Sequence, residues 1–105
     1  MVSFRRKRFA DVIERQLAFF EQDDGDLLAD VDTALDAYNR ADRDEAEELY
    51  GDYQLAIEAA TDRLGEQRDA YARTLEETNV EQYVEEFNRA VLERWRELGL
   101  TIEES

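Results

Sequence analysis

Apolar residues recur along this chain at the three-to-four spacing of helices and rarely alternate as they would in strands. Phe9, Val12, Ile13, Leu17 and Phe20 make one stripe, which predicts a first helix from Phe4 or Phe9 to about Gln22. Asp23-Asp24-Gly25-Asp26 follows. Glycine and short acidic residues favour a turn, and Asp24 or Asp26 has the chemistry to cap what comes next. A second helix is expected from about Leu27 to Arg40 on Leu28, Val31, Leu35 and Tyr38. Asn39 to Asp44 is polar apart from Ala41, and Asp42 with Glu45 has the spacing of a capping box. A short connection is read there, the alternative being fusion of the second and third helices through a bend.

The third segment has the most regular pattern. Ala46, Tyr50, Tyr53, Ile57, Ala60, Leu64, Gln67 and Tyr71 follow one another at spacings of 4, 3, 4, 3, 4, 3 and 4. This is a heptad seam of the kind that keeps one stripe against a partner helix, as in coiled coils, and Leu49, Ala56 and Leu75 widen it. A helix from Asp44 to Glu77 would be about 50 Å long at 1.5 Å per residue, with Gly51 and Gly65 inside it. Thr78-Asn79-Val80-Glu81 reads as a second capping box. It opens a fourth helix on Val80, Val84, Phe87, Val91, Trp95 and Leu98, stopped by Gly99. Leu100-Thr101-Ile102 is then a short apolar tail.

These elements predict an all-α fold in one domain, residues 1–105. Its architecture is bundle-like, with four helices and a dominant third helix along which the others lie. A chain of 105 residues buries only a modest core. The long seam therefore leads us to expect a homodimer, with a further, unidentified protein partner also possible. Tyr50, Tyr53, Ile57, Leu64, Tyr71 and Trp95 are the candidate interface, because aromatics at heptad spacing more often form a core or interface than a ligand groove.

Charge changes this picture more than any other quantity. Asp and Glu number 28 against 13 basic residues, a formal net charge of −15, and only Lys7 among the basic residues is lysine. Charge so far from zero destabilises a compact state by self-repulsion. Concentrated salt removes that penalty, because the Debye length falls to about 3 Å at 1 M. A carboxylate-rich surface almost free of lysine suits a protein that works in molar KCl. Arg5-Arg6-Lys7-Arg8 is the one local reversal. It is a candidate basic contact for a phosphate or nucleic acid, against which the surrounding negative charge and the salt dependence of phosphate contacts both weigh. The competing reading is a counter-charge to Glu103-Glu104, with Val2 and Phe4 near Leu100 and Ile102. No apolar run approaches the ~20 residues of a membrane span, and no signal-like segment follows the basic start. A cytoplasmic, membrane-free location is expected.

Residue types narrow the chemistry further. The sequence contains neither histidine nor cysteine, which removes Ser-His-Asp and Cys-His nucleophiles, thiolate zinc sites and the Glu-x-x-His ligands of di-iron bundles. Glycine-rich phosphate loops and dinucleotide fingerprints are missing. The stretch around Asp23–Asp30 fails the calcium-loop pattern, since Phe20 and Val31 fall where its first and last ligands belong. Glu45, Glu48 and Asp52 share a helix face and form a minor candidate for Mg²⁺ or Mn²⁺, although acidic residues in a first helical turn are also favoured by the helix dipole alone. No catalytic residue, cofactor or resident metal is therefore expected, and the chain reads as a non-enzyme.

From Arg8-Phe9-Ala10-Asp11-Val12-Ile13-Glu14 through Glu93-Arg94-Trp95-Arg96-Glu97-Leu98, the acidity, the preference for Arg over Lys and the unbroken helical pattern resemble the small acidic helical proteins of halophilic archaea. The resemblance is one of composition over nearly the whole length. It implies a salt-rich environment and carries no motif, activity or residue role. The function expected on this basis is a helical interaction and dimerisation module.

Overall fold

Residues 8–104 are described by a computed structural model. They form α1 (Ala10–Asp23), α2 (Gly25–Asn39), α3 (Ala46–Ala72), α4 (Glu77–Arg94) and α5 (Arg96–Ile102). No strand occurs among the described residues, as the helical spacing requires. The first helix starts at Ala10, and a start at Phe4 falls outside the described residues, as do Arg5, Arg6 and Lys7. Residues 40–45 separate α2 from α3, which rules out their fusion.

Several boundaries differ from those predicted, for local reasons. α3 stops at Ala72, where the Thr74 hydroxyl donates to the Tyr71 carbonyl at 2.7 Å and the Thr74 and Leu75 amides close tight turns. α4 already begins at Glu77, after extended backbone at Glu76. Thr78 is thus inside the first turn and does not cap it. Nor do the side chains of Asp24 or residue 45 cap α2 or α3. The fourth helix is also shorter than the apolar stripe implies. Trp95 adopts φ −140° and ψ 94°, the chain folds back, and α5 takes the place of the expected tail. Gly99 is buried inside α5 and does not terminate a helix. A Cβ there would overlap the backbone of Leu92, so glycine is what lets α5 lie against α4.

One core gathers Ile13, Leu17 and Phe20 from α1, Ile57, Ala60 and Leu64 from α3, Tyr83, Phe87 and Val91 from α4, and Leu98 and Ile102 from α5. Tyr83 sits at its aromatic centre, with ring centroids 4.9 Å from Tyr71, 5.4 Å from Phe9 and 5.9 Å from Phe87. Its hydroxyl donates to Gln16 Oε1 at 2.9 Å. Buried polar groups find partners, as their desolvation demands. The Thr61 hydroxyl donates to the Ile57 carbonyl, and Arg68 donates to Asn88 Oδ1 and Asp69 Oδ1.

α2 contributes no buried residue, and neither does α3 before Ile57. These two stretches pair as an αα-hairpin that is anchored where Leu27, Leu28, Val31 and Tyr53 pack against the core. The radius of gyration is accordingly 15.9 Å and the overall extents 53 × 30 × 21 Å, against about 13 Å for the radius of a compact chain of this length.

Candidate interaction surfaces

Two surfaces stand out, the helical arm and a groove between α1 and α4. In the arm, the inward faces of α2 and α3 meet through Leu28, Val31, Leu35 and Tyr38 on one side and Leu49, Tyr50 and Tyr53 on the other. All of these are half-buried except Tyr50, which remains 44 % exposed. Tyr38, Tyr50 and Tyr53 form a ladder with centroid separations of 5.2 and 6.2 Å. Burial, then the nearby Glu97 carboxylate and Tyr50, push the Tyr53 hydroxyl above its ordinary range. A shallow depression of about 350 Å³ runs along one side of the hairpin, floored by Ala34, Ala37, Leu49 and Ala56 and edged by Asp30 and Asp52. Between Asp24 and Ala56 there are eleven carboxylates and two cations, Arg40 and Arg43.

The predicted seam is thereby divided. Ile57 and Leu64 are buried in the chain's own core, where Tyr71 and Trp95 pack at its margin. Of the candidate interface residues, Tyr53 lies on the arm but also packs against that core, and Tyr50 is left exposed on the arm. Gln67, a polar member of the heptad, donates to the Gln16 carbonyl at 3.2 Å and ties α3 to α1. No group of three potential metal ligands converges among the described residues; Glu45 precedes α3, and Glu48 and Asp52 are exposed on it.

The second surface is a groove of about 720 Å³ between α1 and α4. Ala10, Ile13 and Ala90 supply its apolar lining. Glu14, Glu81, Glu85, Glu86 and Glu93 surround these with carboxylates, and Arg89 is the cation among the lining residues. Glu86 also holds the start of α1. Its two carboxylate oxygens accept from the amides of Arg8 at 3.1 Å and Phe9 at 3.0 Å. This places negative charge at a helix N-terminus that has no side-chain cap of its own. The Arg8 guanidinium donates to Asn79 Oδ1 at 3.0 Å and lies 5.5 Å from the Phe9 ring. Of the predicted basic contact, Arg8 thus pairs with α4 and not with Glu103-Glu104, while Arg5, Arg6 and Lys7 lie outside the described residues. The groove itself was not anticipated. Its signal is the recurrence of Glu81, Glu85, Arg89 and Glu93 every four residues, which reads as a solvated face until α1 is placed beside it.

Across the molecule, Arg94 joins α4 to α1 through Glu21 at 2.8 Å and Glu14 at 3.2 Å. Arg63 joins α3 to the α1–α2 turn through Asp24 at 3.2 Å. Among the described residues no helix is long and apolar enough to cross a membrane. Compared with known proteins, the chain matches no family model, no curated protein and no solved structure at a significant level.

Proposed function

We propose that this chain is a non-enzymatic interaction module whose projecting α2–α3 arm pairs with a second copy of itself. The observation that carries this reading is an amphipathic hairpin without a single buried residue in α2 or in the arm part of α3. Beyond the part that packs against the core, the two helices leave Leu35, Tyr38 and Leu49 of their apolar seam half-covered, and helices gain most of their stability from packing such a face. A second hairpin laid on Tyr50, Leu49 and the small-residue depression converts the pair into a four-helix bundle. The acidity of the arm sets the condition for assembly. Like charges oppose the approach of two arms in dilute buffer, and salt shortens their range.

Light scattering after size exclusion tests this directly. Wild-type protein is expected to show twice the mass of one chain in molar KCl and to shift towards one chain as salt is withdrawn. Tyr50→Glu, at an exposed arm position, is expected to hold the protein at one chain even in high salt. A wild-type mass of one chain at every salt concentration would overturn the proposal.

A further inference from the structure

We infer that the corner at Trp95 is an exchange hinge, through which α5 passes to the core of a second copy when α4 and α5 join into one helix. The arm takes no part in it. The corner, first, has no residue type that makes it. Arg94-Trp95-Arg96 contains neither proline nor glycine, the usual causes of a sharp bend in a helix. The apolar stripe, second, runs through the corner without a change of step. Val84, Phe87, Val91, Trp95, Leu98 and Ile102 follow one another at spacings of 3, 4, 4, 3 and 4, so a straight helix from Glu77 to Ile102 carries them all on one face. Third, a single residue, Trp95 at φ −140° and ψ 94°, separates the two helices. The Trp95 amide still donates to the Val91 carbonyl at 2.7 Å, and the Gly99 amide to the Trp95 carbonyl at 2.9 Å. Between these bonds lie the amides of Arg96, Glu97 and Leu98, turned away from the carbonyls of Leu92, Glu93 and Arg94 that a continuous helix gives them. α5 also opens without a side-chain cap, so straightening supplies partners to groups that the corner leaves outside the helical ladder. Fourth, α5 carries buried Leu98, Gly99 and Ile102. Once straightened, it must cover the same apolar surface elsewhere, and a second copy that has given up its own α5 offers the matching cradle. Each core then accepts the other's α5 with Gly99 against the same Leu92 backbone, which is domain swapping. Every buried contact of α5 is kept and only the hinge changes, so chain concentration decides between the two forms.

Arg96→Pro separates the forms. Proline at the first position of α5 needs no amide partner and asks of the preceding residue the extended backbone that Trp95 already has. Inside a continuous helix the same proline breaks the ladder. Because the chain lacks cysteine, Glu81→Cys/Glu103→Cys, at two exposed positions, accepts a pair of spin labels. Labelled chains are refolded from urea with an excess of unlabelled chains, so that the electron–electron distance is that within one chain. Tyr50→Glu is present throughout to remove any pairing of the arms. In one helix the labels stand about 33 Å apart, and the fold-back brings them closer. At low chain concentration the short distance is expected alone. At high concentration the long distance is expected to appear together with a doubled mass in light scattering. Arg96→Pro should abolish both and keep the short distance, which also shows that the variant folds. The inference is overturned if the short distance is the only one at every concentration, if the long one appears without a doubling of mass, or if Arg96→Pro leaves it unchanged.

Discussion

At Gly99 the polypeptide passes so close to Leu92 that a methyl group would overlap backbone, and no side-chain rotation relieves a clash with main chain. Gly51 is the counter-case, a helical glycine with open space where its Cβ would be. Gly99→Ala should therefore lower unfolding free energy by about 1–3 kcal/mol or more, the usual cost of overpacking. Gly51→Ala should raise it by up to ~1 kcal/mol through helix propensity. Urea denaturation of the two variants checks both signs, and equal effects would mean that the α4–α5 contact is not tight. Tyr83 offers a test by pH. Burial pushes its hydroxyl up to about 12, whereas an unfolded tyrosine titrates near ~10. Between those values the unfolded chain has released a proton that the folded chain retains. Stability must then fall as pH rises, by roughly 2–3 kcal/mol over the interval. Tyr83→Phe should flatten that part of the profile, and an unchanged slope would assign it to other groups.

Among the elements, each principal helix was visible as a stripe, because burial on one side imposes the same period wherever a helix has a core to face. The ends were less legible. The sequence around Thr78 has capping-box chemistry, yet α4 starts at Glu77, and boundaries set by extended backbone at one residue leave little trace in residue type. The break at Trp95 was hidden for a different reason. Val91, Trp95 and Leu98 continue the period without interruption, and what bends the chain is packing, with Trp95 against Phe20 at 5.6 Å and Gly99 against Leu92. The heptad seam illustrates the limit most clearly. Its repeat is uniform from Ala46 to Tyr71, but Leu64 is fully buried while Tyr50 is 44 % exposed. The period specifies which face is covered and says nothing about how many helices cover it. The acidic groove was illegible likewise, since it exists only where α1 and α4 come together.

The whole molecule combines a net charge of −15 with an elongated shape, and its stability should depend on salt accordingly. Self-repulsion among exposed carboxylates opposes the folded state, and screening relieves it. The bridges from Arg94 to Glu21 and Glu14 and from Arg63 to Asp24 weaken in salt, but exposed pairs contribute only about 0–1 kcal/mol each. Relief of the net repulsion should outweigh them. The melting temperature is expected to rise as KCl increases to molar concentrations, and a salt-independent value would count against the high-salt reading. The position of Trp95 makes that experiment more informative than a single midpoint. It is the only tryptophan, seated between α4 and α5 with Phe20 beside its ring and the Arg94 guanidinium 5.4 Å from its centroid. Its emission is therefore a built-in optical gauge of the core, whereas far-ultraviolet dichroism sums every helix. During dilution from salt, ellipticity lost before the indole spectrum moves to the red is the signature of the arm unravelling while the core remains intact.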